Sequence, residues 1–442
     1  MRTDRHARTR ALLVGVLLLA NVAHGEGLKP GDVLSRENWE LARDLLPPEI
    51  LKFYQTGDYR NPIIEWPEGL YRRDDAFEAA TEMNRGRYTV DRLGTVIEKD
   101  TGKQPPAVDG LPFPDIDPAD SDAGVKVLWN HYYDYWNLGN YHNKTEVTWV
   151  GRHGAERKIT QEVRFLYYES QPRRYIPPNN PKSLFWQFIS NTLAPADLYG
   201  TAALSWRYRD PEKRDSIWAF VPALRRVRQV SPSNRSDGFL GSDMSQDDGP
   251  FFDGKPEDFT WKLVGEKEML RYVDPLALNP EQVVQIPLPG GGWQNSWPAI
   301  AQLGLEDPNW QGVPWAPIAA AMVRRPQWVI EGIPKDRYYL YGKVQLYIDK
   351  GTFNGAWNRK FDWKGELINS YQVLAYVGRS RLPGAESERL WASNMIYRCV
   401  YNVRMDRATC PVVRAAENWP NARRIPLSPG SFDYQALIRG GK

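Results

Sequence analysis

Residues 218–244, WAFVPALRRVRQVSPSNRSDGFLGSDM, lead from an aromatic, strand-like run through four arginines into a Ser/Asn/Asp/Gly segment. Side chains alternate across a strand, so SIWAFVP places Trp218 and Phe220 on one face and Ile217, Ala219 and Val221 on the other. Both faces are apolar. Pro222 marks a turn, and RRVRQVS reads as the neighbouring strand, with Arg225 and Arg226 beside the turn. Arg226 and Arg228 share a face opposite Val227. In the loop that follows, Asn234, Ser236 and Asp237 suit side-chain-to-backbone turn bonds.

The same texture extends in both directions. KTEVTWVG, RKITQEVRFLYYES, GTAALSWRYRDP, DFTWKLVGEKEML, PQWVIEGIP, KVQLYIDKGTFNGAWNRKFD and LINSYQVLAYVGRS alternate or run apolar between Gly, Pro, Asp and Asn breaks. Their serial order, with few helices between, predicts an antiparallel meander. NPKSLFWQFISNTL interrupts it as a short apolar helix carrying Leu184, Phe185, Phe188 and Ile189. PLPGGGWQNSWPAIAQLGLEDPNWQGVPWAP reads as a long loop. Upstream, SRENWELARDLLPPEI predicts a helix capped by Ser35 and stopped at Pro47-Pro48. Residues 55–120 read as extended chain hugging the surface. DAGVKVLWNHYYDYWNL has Leu128, Tyr132, Tyr135 and Trp136 at helical spacing and predicts a second helix.

The start of the chain has a basic stretch (Arg2, Arg5, Arg8, Arg10), an apolar run from Ala11 to Ala20 and a small-residue site at Ala23-x-Gly25. That is the pattern of a secretory signal peptide over residues 1–25, so the mature chain is expected outside the cytoplasm, in the periplasm. No later stretch reaches the ~18 apolar residues of a membrane-spanning helix, and a soluble mature chain is expected. The whole chain carries 57 Lys and Arg against 54 Asp and Glu. Without its first 25 residues it is neutral, which argues against a nucleic-acid partner. Cys399 and Cys410 are the two cysteines. In an exported chain they read as one disulfide closing a hairpin, with two buried free thiols as the alternative.

Catalytic patterns fail on inspection. Arg152-His153-Gly154 follows a strand, but no histidine follows His153 to complete a phosphohistidine site, so a turn explains the tripeptide. DIDPADSDAGVK lacks the Gly and bidentate Glu of a calcium loop. GFLGSDMS is not a nucleophile elbow, and PLPGGGW lacks the Lys-Ser/Thr of a phosphate loop. Histidine and cysteine are too few for a zinc cluster. No metal, cofactor or catalytic residue is expected. Acidic pairs such as Asp247 with Asp248, or Asp253 with Glu257, leave a carbohydrate-acting enzyme as a minor alternative.

GLPFP at 110–114, VLWNHYYDYW at 127–136, DSIWAFVPALRRVRQVSPSNRSDGFLGSDMSQDD at 215–248, DFTWKLVGEKEML at 258–270 and YLYGKVQLYIDKGTF with KFDWKGEL at 339–367 resemble the DUF1329 family. The resemblance covers most of the chain in the same order. It implies a mainly β (α+β) fold like that of the LolA and LolB lipoprotein carriers: a large, antiparallel, strongly curved, unclosed β-barrel with short covering helices. Residues 26–125 would form a helical and extended segment packed on a barrel spanning 126–442. The resemblance further implies a carrier of a hydrophobic or lipid-like ligand, working with an RND-type exporter, and no catalytic residue to carry over.

On this reading Leu204, Trp206, Tyr208, Trp218 and Phe220 are expected to line an apolar cavity. Phe185 and Phe188 join them from the SLFWQFI helix, a candidate lid. Arg225, Arg226 and Arg228 are expected either to pair with Asp243, Asp247 or Asp248, or to meet an anionic headgroup at the mouth, where a peripheral membrane contact fits. A non-catalytic adaptor with a solid interior is the rival reading.

Overall fold

A computed structural model describes residues 27–66, 73–273, 284–296, 301–379, 391–413 and 421–440. The chain from 1 to 25 lies outside the described residues. Two small ribbons precede the main sheet: β1 (Val33–Leu34) with β2 (Asn61–Pro62), and β3 (Tyr88–Val90) with β4 (Val96–Glu98). The main sheet begins with β5 (Tyr141–Gly151), β6 (Gly154–Tyr167), β7 (Leu184–Ala194), β8 (Ala202–Tyr208), β9 (Ser216–Val221) and β10 (Arg226–Val230). It continues through β11 (Phe259–Val273), β12 (Val284–Pro287), β13 (Trp293–Ser296), β14 (Ala321–Pro334), β15 (Lys343–Asp349) and β16 (Gly355–Phe361). The last strands are β17 (Leu367–Arg379), β18 (Trp391–Asn402), β19 (Arg407–Val413) and β20 (Asn421–Arg423).

Neighbours in sequence are mostly neighbours in space, as the alternating pattern predicts. From one edge the order is β10-β9-β8-β7-β6-β5-β19-β18-β17, then β16-β15-β14-β11, antiparallel throughout. β11 curls back to touch β17 through one parallel bridge, Val273 to Ala375. The sheet is mainly antiparallel and does not close into a barrel. Its two ends, β10 and β11, are consecutive in sequence. Residues 231–258, the second half of the opening stretch and its continuation, therefore run from one edge to the other across the concave side.

Among the described residues four α-helices accompany the sheet: α1 (Pro48–Thr56), α2 (Asp75–Met83), α3 (Ala123–Trp136) and α4 (Tyr434–Gly440). α3 is the helix predicted from its aromatic spacing. It lies in the concavity, where Trp129, Tyr132, Tyr133 and Trp136 bury against Phe259, Trp261, Ile330, Leu346 and Tyr371 of the sheet. Gly124 makes the approach tight, since a Cβ there would stand 2.7 Å from the Lys262 backbone of β11. The convex side has its own cover. Leu46, Ile50, Phe53 and Tyr54 of the N-terminal segment, with Trp315 and Ala316, pack on Tyr272, Met322, Trp357 and Tyr401. Around the other half, Phe432 and Leu437 near the C-terminus cover Leu166, Ile189, Leu204, Tyr208 and Phe220.

Several expectations are corrected. SLFWQFISNTL is strand β7, not a helix: its Phe, Trp, Ile and Thr side chains fit a pleated surface, and pairing with β6 and β8 overrides the helical spacing. The proposed lid is therefore wall. Pro47-Pro48 opens α1 rather than ending a helix, because proline in the first turn forfeits only an N–H that has no intrahelical partner. The residues before it make a short 3₁₀ turn, Trp39–Ala42. Residues 55–120 are not all extended. They contain α2, whose N-cap Asp74 accepts from the Phe77 N–H at 3.0 Å, and the β3–β4 ribbon. PLPGGGW is the turn of the β12–β13 hairpin rather than open loop. Cys399 and Cys410 form a disulfide across the β18–β19 hairpin.

Candidate functional site

The curvature of the sheet fixes which of the two alternating faces of the β7–β9 wall is inside. The concave face carries the smaller set: Phe188, Ser190 and Thr192 from β7, Ala203 from β8, Ala219 and Val221 from β9. With Val163 and Phe165 of β6, Asn143 and Val147 of β5 and Tyr135 of α3, they bound a cavity of about 390 Å³. The crossing segment supplies a further wall through Phe239, Leu240, Met244, Gln246, Pro250 and Asp253. Mostly apolar walls with a few polar groups, at a volume of some 300–1,000 Å³, are the usual character of a small-ligand site.

The crossing segment is held by matched charge and by a close backbone approach. Arg235 is buried and meets Asp247 at 2.5 Å, Asp253 at 3.0 Å and Asp215 at 3.1 Å. Arg207 of β8, also buried, meets Asp215 at 2.8 Å and Asp253 at 3.2 Å. Tyr339 donates its hydroxyl proton to Asp247 at 2.7 Å. Burial alone would raise the Asp215 carboxyl, but Arg207 and Arg235 hold it below the ordinary value. At Asp253 burial prevails over the same two arginines and its pKa is raised. Asp248 pairs with buried Lys360, and Asp243 with Arg407 at 3.0 Å. Phe251 lies on Gly355, where a Cβ would stand 2.1 Å from its ring. A buried pair broken by removing one member costs about 3–5 kcal/mol, so these contacts fix the segment as a plug rather than a loose flap.

The residues named from sequence are distributed differently from expectation. Phe188 lines the cavity, 4.8 Å from the Phe165 ring. Phe185 packs against Trp129 and Trp136 of α3, because a register shift between Leu184 and Trp186 turns it inward toward the helix. Leu204, Trp206, Tyr208, Trp218 and Phe220 lie on the convex face under the C-terminal segment. There Trp206 donates its indole proton to the Phe432 carbonyl at 2.8 Å. Period-two alternation separates two faces but does not say which is concave, and bulk pointed to the wrong one. The informative signal was the opposite parity, Ala203, Ser205 and Ala219, small enough to leave room. Arg225, in the turn before edge strand β10, and Arg226 and Arg228 on that strand are exposed and, among the described residues, pair with none of Asp243, Asp247 or Asp248. The arginine of the opening stretch that does pair is Arg235.

Sequence reasoning also passed over Arg398, Arg423 and Asn143, which bring polar groups to the cavity wall from β18, β20 and β5. They are separated along the chain and marked by no motif; only strand order brings them together. Among the described residues no group of three or more His, Cys, Asp or Glu side chains is arranged to hold a metal ion. No described helix is long and apolar enough to cross a membrane.

Comparison with known sequences adds a family. The sequence model of the family described as "Protein of unknown function (DUF1329)" matches residues 33–423. The chain belongs to the DUF1329 family. An uncharacterized protein of Pseudomonas aeruginosa is 23% identical over 251 residues, 55% of this DUF1329 chain and 49% of the relative. The chain thus aligns with about half the length of that curated relative. Among solved structures, a Vibrio parahaemolyticus domain named for outer-membrane lipoprotein sorting superposes with a TM-score of 0.48 at 15% identity, covering 72% of this chain and 100% of the other. A DUF1329 protein from Desulfovibrio piger gives 0.46 at 16% identity, with 73% and 99% covered. A LolA superfamily protein from Nitrosomonas europaea gives 0.39 at 11%, with 69% and 96% covered.

Proposed function

We propose that this DUF1329 protein is a non-catalytic periplasmic carrier that holds a hydrophobic or amphiphilic molecule in the cavity between β5–β9 and the plug. The carrying observation is the cavity itself: about 390 Å³, walled mainly by apolar side chains, in a concavity otherwise filled by α3. Burying a chain methylene there is worth about 0.8 kcal/mol, so an acyl tail supplies binding energy without reactive side chains. The rival adaptor reading required a solid interior, and the cavity counts against it. The exposed Arg225, Arg226 and Arg228, beside exposed Leu224, form the surface that would meet anionic headgroups where cargo is taken up or delivered. An RND-type exporter is the partner implied by the family resemblance.

Purification from the native envelope, solvent extraction and mass spectrometry of the extract provide the test. A recurring amphiphile, lost when Ala219→Trp fills the cavity, supports the carrier. Protein that comes out empty and binds no added amphiphile in a displacement titration overturns it.

A further inference from the structure

The cavity has a direction. Its β8–β9 side presents Ala203, Ala219 and Val221, whereas its opposite side, where β18, β19, β5 and β20 adjoin, presents Arg398, Asn143 and Arg423. Arg398 is half-buried and has no carboxylate partner among the described residues. Its Nη1 donates to the Gly249 carbonyl at 2.6 Å, and its Nε is buried with no acceptor. The Asn143 Oδ1 is likewise buried and unpaired. Arg423 stacks over Tyr141 at 4.3 Å. Among the described residues the one carboxylate on the wall, Asp253, is engaged by Arg207 and Arg235. Three buried cations nearby or across the sheet, Arg207, Arg235 and Lys360, each face an aspartate. A charge partly withdrawn from water without a counter-ion is costly, so Arg398, on the cavity wall, marks where a ligand's charge fits.

We infer that the ligand is a single-chain amphiphile with an anionic head, carboxylate or phosphate, that seats against Arg398 while its tail lies toward Ala203 and Ala219. The inference rests on the carrier reading and narrows it. A cavity near the small end of the ligand-site range takes one chain, and an anion seated against the Arg398 guanidinium supplies the counter-charge that no described carboxylate provides. A neutral head would leave that cation without one.

The test uses the delipidated full chain and displacement of a fluorescent fatty-acid probe by palmitate, by 1-palmitoyl lysophosphatidate and by hexadecanol. A charge-assisted hydrogen bond predicts that at least one anion binds about ten- to a hundred-fold tighter than the alcohol. Preference for palmitate assigns a free carboxylate, and preference for lysophosphatidate assigns a phosphate head. In Arg398→Gln the margin over hexadecanol collapses while hexadecanol itself still binds; in Arg398→Lys part of it survives. Equal binding of all three by the wild-type chain overturns the headgroup inference and leaves the carrier standing. Binding of none overturns both. The wild-type comparison decides the matter even if Arg398→Gln does not fold.

Discussion

The concave side has two halves built from the same kind of strand and finished in opposite ways. Over β11–β17, α3 packs four aromatic side chains, Trp129, Tyr132, Tyr133 and Trp136, into the sheet. Over β5–β9 α3 reaches only part of the face, through Trp129 and Trp136 on Phe185 and Tyr167, and beyond it alanine, serine, threonine and valine leave a void. One half is a core and the other a container, with the plug as the partition between them. Bulk on a strand therefore does not announce a binding surface. In β8 and β9 the bulky aromatics are the structural face, and the binding face is the one that gives up volume.

The contrast is broken most directly at the partition. Arg235→Leu strands Asp247 and leaves Asp215 and Asp253 with Arg207 alone. The expected loss is about 3–5 kcal/mol in chemical denaturation, with freer access to the cavity. Trp136→Ala, in the core beneath α3, is expected to cost a similar 3–4 kcal/mol by opening a cavity among Tyr132, Tyr167 and Phe185, with little change in ligand affinity.

Glu257, where the plug enters β11, is next. Burial raises its pKa from 4.5 to about 7. The folded state therefore holds a proton that the unfolded chain has released. The stability this contributes is complete below pH 4.5, declines as pH rises and is gone above pH 7. The span is on the order of 3 kcal/mol, and Glu257→Gln should flatten that part of the pH–stability curve. An unchanged slope would place the titration elsewhere.

The smallest effect belongs to the open half. Phe188→Ala should cost only about 1–2 kcal/mol, since its half-buried ring already borders empty space, while weakening amphiphile binding. A loss as large as that of Trp136→Ala would erase the distinction between the two halves.

Much of the fold was legible because it is local. Alternation with turn residues marked the meander, and the aromatic spacing of residues 128–136 marked α3. β7 was misread because Leu184, Phe185, Phe188 and Ile189 satisfy a helical period and a bulged strand equally well; only pairing across the chain decides between them. α2 was readable in principle, with Asp74 before DAFEAATEM as its cap. The site was less legible. Phe188 borders the cavity from strand β7 rather than from a helix, and inside and outside are assigned by curvature, which no single strand encodes. Arg398, Asn143 and Arg423 meet only through the order of β18, β5 and β20.

That order has a kinetic side. The meander is simple along each half, yet its central seam joins β5 to β19, with Val150 facing Ala408. The first strand of the sheet stays without that neighbour until nearly the whole chain is available. Hairpins close early and cheaply, whereas so distant a pairing must overcome a large loop-closure entropy and slows folding. Such an order predicts that the slow event in folding is the stitching of the middle of the sheet, with the inner edge of β5 the last to find its partner.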